Sequence, residues 1–204
     1  MALERKIAKH LLDIEAVALR PNDYFTWTSG IKSPIYCDNR ITMSYPAIRR
    51  EIATGMSEVI KAKFPEVEVV AGTATAGIPH AAWVSEVLDL PMIYVRDSAK
   101  KHGKTNQIEG RLLEGQKVVI IEDLISTGLS SLKVAKALEE AGAVVLGVVA
   151  IFSYELKKAQ DAFAADKVEY YTLTNYNYLI EEAVVSDYIK QEDVEKLLEW
   201  RNNL

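Results

Sequence analysis

Residues 118–128 read VVIIEDLISTG. Four β-branched aliphatics in a row describe a strand buried on both faces, the kind found inside a parallel sheet. Two adjacent carboxylates, Glu122 and Asp123, close the run, and a turn of small hydroxyl residues and glycine follows. Behind the turn, LSSLKVAKALEEAG reads as a helix, so main-chain N–H groups and a helix N-terminus face the end of the strand. That is a natural phosphate cradle. In open parallel sheets ligands lie beyond the carboxyl ends of the strands. The stretch therefore suits a ligand with a phosphate at one end and hydroxyls or a divalent cation beside it. Solvated acids at a strand end are the plainer reading of the same residues.

The flanking sequence repeats the alternation. VEVVAG, PMIYVR, KVVIIED, AVVLGVVAIF and KVEYYTL read as strands, and PHAAWVSEVL and LKKAQDAFAA as helices. A polar loop covers 97–110. Upstream, Ile7, Leu11, Leu12, Ile14 and Val17 recur at helical spacing, which predicts a helix ending near Pro21-Asn22-Asp23. FTWTSGIKSPIYCDNR (25–40) reads as a hairpin-like arm, and Ser44 is the expected N-cap of a helix that has Pro46 in its first turn and runs to about Lys63. The expectation is one α/β domain over residues 1–204, a parallel sheet covered by helices on both faces, with residues 1–40 as an accessory region.

Composition narrows the class. The chain has 204 residues, a net charge of −5 and a single cysteine, Cys37. One cysteine permits neither an internal disulfide nor a cysteine-built zinc site, and fits a reducing compartment. The negative balance argues against a general nucleic-acid binder. With no apolar run near the ~20 residues of a membrane span and a charged first segment, a soluble, cytoplasmic protein is expected. A nucleotide-triphosphate P-loop is excluded: in GTATAGIP (72–79) the glycines are spaced correctly, but Ile78 and Pro79 stand where Lys and Ser/Thr are required. A dinucleotide-binding G-x-G-x-x-G is absent as well.

VVIIEDLISTG closely resembles the phosphoribosyl pyrophosphate (PRPP) signature of type I phosphoribosyltransferases. FTWTSGIKSPIYCDNR and YVRDSAKKHGKTNQIEG (94–110) resemble segments of the orotate phosphoribosyltransferase family, and the likeness runs over most of 5–185. The resemblance implies a central parallel sheet with an N-terminal hood, and transfer of the phosphoribosyl group from PRPP to orotate in pyrimidine synthesis. It implies that Glu122 and Asp123 hold the ribose hydroxyls. Leu124, Ile125, Ser126, Thr127, Gly128, Leu129 and Ser130 wrap the 5′-phosphate. Arg96, Lys100 and His102 also contact PRPP, and Ser126 and Lys32 contact orotate. Lys100, Asp123 and Glu122 are the expected catalytic residues. Magnesium is expected to ride on the pyrophosphate without protein ligands of its own. In the family the loop reaches into the partner's site of a homodimer, so residues 96–104 are expected to act there.

The charge of that loop agrees. Both substrates are anions, and Arg96, Lys100, Lys101, His102 and Lys104 bring positive charge to a ridge that already carries two acids. Closure would place cations on the departing pyrophosphate and exclude water. The chain departs from many bacterial members at Thr28, Thr75-Ala76 and Asp97, where lysines or a Tyr-Lys pair are common, and has no arginine after 143–152. Main-chain N–H groups at 73–77 and Lys32 are available in their place. A purine phosphoribosyltransferase would share the PRPP motif without FTWTSGIKSPIY, and a PRPP-sensing regulator would need an added nucleic-acid-binding module. His10 is expected at the surface, and His80 in packing or near the pyrophosphate. Trp83, Trp200 and the tyrosines at 170, 171, 176, 178 and 188 are expected in core or interface, and Cys37 as a small apolar residue.

Overall fold

The computed structural model describes residues 2–27, 30–97 and 107–204. Helix α1 (Leu3–Asp13) leads to β1 (Val17–Leu19), and an arm follows, built from β2 (Phe25–Thr26), β3 (Lys32–Ser33) and β4 (Ile35–Cys37). A 3-10 turn over Asn39–Ser44 precedes α2 (Pro46–Lys63). The chain then alternates through β5 (Val69–Thr73), α3 (Gly77–Leu88), β6 (Met92–Val95) and β7 (Ile108–Glu109). It continues with β8 (Lys117–Ile125), α4 (Leu129–Glu140), β9 (Val144–Ser153), α5 (Lys157–Asp166) and β10 (Tyr170–Asn175). Helices α6 (Tyr176–Val185) and α7 (Val194–Asn202) complete it.

The main sheet runs β10-β9-β8-β5-β6-β7, parallel throughout except for β7, which pairs antiparallel with β6. Period-2 alternation sends Val70, Val119, Ile121 and Val149 into one core, with α1, α2 and α3 over it. Val69, Ala71, Val118, Ile120 and Val148 enter a second core beneath α4 and α5. Each aliphatic side chain buried this way contributes roughly 1.5–3 kcal/mol, which is why the apolar run was readable as a central strand.

This order creates the crevice. From β5 the chain moves outward through α3 to β6 on one side, then returns to place β8 on the other side of β5. Helices α3 and α4 thus leave neighbouring strands toward opposite faces, and the gap between the ends of β5 and β8 is a topological switch point. The β5–β8 pairing ends at Gly72 and Ile121, while β8 continues beside β9 as far as Ile125. The acidic pair therefore lies not at the strand's end but on a segment that has outgrown its β5 neighbour. Gly77 lets α3 start against that point, since a Cβ there would lie 2.5 Å from the Ile121 carbonyl oxygen.

Four local expectations are corrected. The first helix ends at Asp13, where Glu15 takes a left-handed φ of 57°. Val17–Leu19 instead pairs antiparallel with Ile35–Cys37; Val17 alone matches helical spacing because so short a strand carries no period of its own. The arm's hairpin is only β2 with β3, and β4 leaves it for β1. The N-cap of α2 is Tyr45, not Ser44: Pro46 forces the residue before it to extended backbone, and Ser44 belongs to the 3-10 turn. The loop after β6 is shorter than 97–110, because Ile108 and Glu109 return to pair with Val95 and Tyr94. Among the described residues no helix is long and apolar enough to cross a membrane.

Candidate active site

Glu122 is only 5% exposed and Asp123 half-buried. One Glu122 oxygen accepts from the Asp123 main-chain N–H (3.0 Å), and the other from the Ser131 hydroxyl (3.2 Å). Burial pushes the Glu122 carboxyl well up from the usual range, and the adjoining Asp123 charge pushes it further. Burial raises Asp123 too, but hydrogen bonds from Glu122 and from main-chain N–H groups oppose the rise. Glu122 is thus the member that keeps a proton more readily, and Asp123 presents charge to the crevice. Asn39, 1% exposed, donates from Nδ2 to the Asp123 carbonyl at 2.6 Å and ties the 3-10 turn to β8.

The turn after β8 is built for close approach. Ile125 is a core residue whose carbonyl accepts from the Tyr154 N–H (3.1 Å), so it anchors the turn rather than offering a side chain. Ser126 and Thr127 are half-buried. Gly128 holds φ +78° as the N-cap of α4, and a Cβ there would meet Phe163 at 2.7 Å. Leu129 and Ser130 are exposed in the first turn of α4, Leu129 at 60%.

Two cavities flank this turn. One of about 360 Å³ is lined by Thr26, Trp27, Tyr36, Cys37, Leu124, Ser126 and Tyr154. Its walls are mostly aromatic and aliphatic, with Ser126 on the side of the turn after β8. Lys32 reaches it indirectly, its Nζ donating to the Thr26 hydroxyl at 2.8 Å. Burial and the charges of Asp123 and Asp38 push the Cys37 thiol well up, so it serves as a neutral wall residue and not as a nucleophile. The other cavity, about 280 Å³, brings Arg96 together with Leu129 and Ser130, alongside Asp97, Gln107 and Lys133. Arg96 faces Glu109 at 3.7 Å, and the Asp97 carbonyl accepts from Lys133 Nζ.

The predicted residues Glu122 to Ser130 are thus contiguous, with Lys32 at one side and Arg96 at the other. Lys100 and His102, like Lys101, Lys104 and Thr28, lie outside the described residues. Sequence reasoning did not single out Asn39, Ser131, Trp27 or Tyr154; Trp27 and Asn39 lie within FTWTSGIKSPIYCDNR, but the stretch does not show which residues they meet. Nor is His10 a plain surface residue: it is half-buried, with Nε2 2.8 Å from Glu51 Oε2. His80 packs edge-on to Trp83 and lies inside the protein, 1% exposed. Tyr188 is exposed, whereas Tyr176 is fully buried. Among the described residues no group of three or more His, Cys, Asp or Glu is placed to hold a metal ion.

A mostly parallel sheet, an acidic pair at its switch point and a glycine-opened turn into a helix define a phosphoribosyltransferase, and the phosphoribosyl transferase domain family matches residues 43–187. The orotate phosphoribosyltransferase of Enterococcus faecalis is 64% identical over 199 residues, covering 98% of this chain and 95% of that one. That of Staphylococcus aureus is 61% identical over 202 residues, covering 99% and 100%. The crystal structure of orotate phosphoribosyltransferase from Aeropyrum pernix superposes with a TM-score of 0.77 at 28% identity, covering 86% of this chain and 97% of that one. The chain belongs to the orotate phosphoribosyltransferase family.

Proposed function

We propose that this chain transfers the phosphoribosyl group of PRPP to orotate, giving orotidine 5′-monophosphate and pyrophosphate in pyrimidine synthesis. Ser126 carries the reading: it belongs both to the turn that would hold the 5′-phosphate and to the wall of the 360 Å³ cavity that would hold the base. Two substrates bound on either side of one residue place the ribose between them, over Asp123. The C1–O bond to pyrophosphate breaks as a bond to the base nitrogen forms. Positive charge gathered on the sugar in passing is stabilised by the Asp123 carboxylate. Glu122, its oxygens already engaged by an N–H and an O–H, orients Asp123 and the ribose hydroxyls.

Around this core stand further parts of the proposal. Residues 1–40 form a hood on a single phosphoribosyltransferase domain, with the arm closing over the base. Arg96, Lys100 and His102 meet the pyrophosphate, with Lys100 delivered to the partner's site of a homodimer. Magnesium comes bound to PRPP and neutralises pyrophosphate charge. The donor set suits this role, since one half-buried carboxylate beside an occupied one makes no cage for a cation that keeps its waters. A single free cysteine supports a cytoplasmic setting.

The test follows the fall of orotate absorbance on adding PRPP, with xanthine and other purine bases in parallel. Loss of orotate absorbance with release of pyrophosphate is expected, and turnover of a purine instead would overturn the reading. Equilibrium dialysis should show weak magnesium binding to the free protein, strengthened by PRPP.

A further inference from the structure

Helix α7, like the arm, lies outside residues 43–187 matched by the phosphoribosyl transferase domain family, and the two touch repeatedly. Asn22 accepts from Lys196 Nζ at 2.9 Å and approaches Asp193 at 3.5 Å. Lys196 lies over the Tyr24 ring. Trp200 donates its indole N–H to the Lys32 carbonyl at 2.9 Å and meets Trp27 edge-on, ring centres 5.8 Å apart. Trp27 in turn lies against Tyr154, with centres 5.5 Å apart, and donates to the Ile35 carbonyl at 3.0 Å. Trp27, Tyr154 and Thr26 are walls of the base cavity, and Thr26 accepts from the Lys32 ammonium.

The arm needs such a brace. Among the described residues, β2 and β3 pair as Phe25–Ser33 and Thr26–Lys32, with one more main-chain bond from the Trp27 N–H to the Ile31 carbonyl. A hairpin that short does not hold itself in water. The far end of α7 is itself fixed to the sheet side of the molecule, since Arg201 donates to Asn177 at 2.7 Å and faces Glu155 at 3.6 Å.

We infer that Trp200 is a positioning residue for the base subsite: its indole N–H fixes the Lys32 main chain, and so sets Thr26 in the cavity wall and the Lys32 ammonium bonded to it. The inference rests on the reading of that cavity as the orotate site. It assigns the C-terminal helix a part in base recognition and none in PRPP binding.

The experiment compares Trp200→Phe, which keeps an aromatic ring and deletes the donor, with Trp200→Leu, Lys32→Ala and the Trp200→Phe/Lys32→Ala double variant. For Trp200→Phe, kcat/KM for orotate should fall about five- to tenfold, the loss of one hydrogen bond. kcat and the KM for PRPP should stay within about twofold. The double variant should lose less than the product of the two single losses, because part of the donor's effect passes through the Lys32 ammonium. Trp200→Leu should lose more for orotate, and if it fails to fold the Phe pair still decides. An unchanged kcat/KM for orotate in Trp200→Phe would overturn the inference. So would equal losses for both substrates, or full additivity with Lys32→Ala. A wild-type enzyme that ignores orotate while turning over another base would instead overturn the reading of the cavity.

Discussion

The Asn39 amide donates to the main-chain carbonyl of Asp123 at 2.6 Å, across 84 positions of sequence. One buried side chain thereby joins the segment that follows the arm to the strand that carries the acidic pair. Asn39→Ala removes the donor and leaves a carbonyl in a half-buried site without it. We expect a stability loss of about 1–3 kcal/mol and a fall in kcat/KM of roughly tenfold. Thermal melting and steady-state kinetics check the two together, and unchanged kinetics would confine Asn39 to the scaffold.

Asp123→Asn keeps the shape of the side chain and removes its charge. Stabilisation of positive charge on the sugar is then lost in the transition state, so kcat should fall at least about tenfold, a loss of ~1.4 kcal/mol or more. A kcat equal to wild type would leave the Asp123 charge no part in the reaction.

His80 makes a pH prediction. Burial holds its imidazole down to about 4 from the ordinary 6.5. Neither ring nitrogen has a hydrogen-bond partner among the described residues. The unfolded chain binds the proton first on acidification, so stability present above about pH 6.5 is lost as pH falls through about 4. The span corresponds to about 3 kcal/mol. His80→Leu should flatten this part of the stability curve, measured by urea unfolding from about pH 7 to pH 4. Parallel curves for the two proteins would show that folding leaves the His80 pKa unshifted.

The proposal of a shared site has its own test. Lys100→Ala and Asp123→Asn homodimers should each be nearly inactive. If Lys100 serves the partner's site, random subunit exchange leaves half the dimers mixed, each with one intact site, and activity returns to about a quarter of wild type. If Lys100 serves its own chain, every site keeps a defect. No recovery, with exchange confirmed by mass, would rule out the shared site.

What the sequence could reveal followed from how local each signal is. The strand at 117–125 and its neighbours were legible because a run of buried β-branched residues admits few other readings, and the glycine turn at 128 follows from the helix it opens. Val17 was not legible, because its partner Cys37 lies twenty positions on and a three-residue strand carries no period of its own. Tyr45 displaced Ser44 as the cap through the proline that follows it. Asn39, Ser131, Tyr154 and Trp200 act through residues distant in sequence, and only the fold brings them there. Lys32 lay between these cases: the resemblance marked it, while its bond to Thr26 and its main-chain bond to Trp200 needed three dimensions.

Strand β8 begins as an interior strand and finishes as an edge. From Glu122 onward it is paired with β9 on one side and, among the described residues, with no β5 residue on the other. An edge in the middle of a sheet invites the addition of a foreign strand, and proteins commonly guard such edges with charge. Here the half-buried Asp123 carboxylate lies on that segment, and the Asn39 amide occupies the Asp123 carbonyl. An Asp123→Asn protein is therefore to be checked for self-association as well as for turnover.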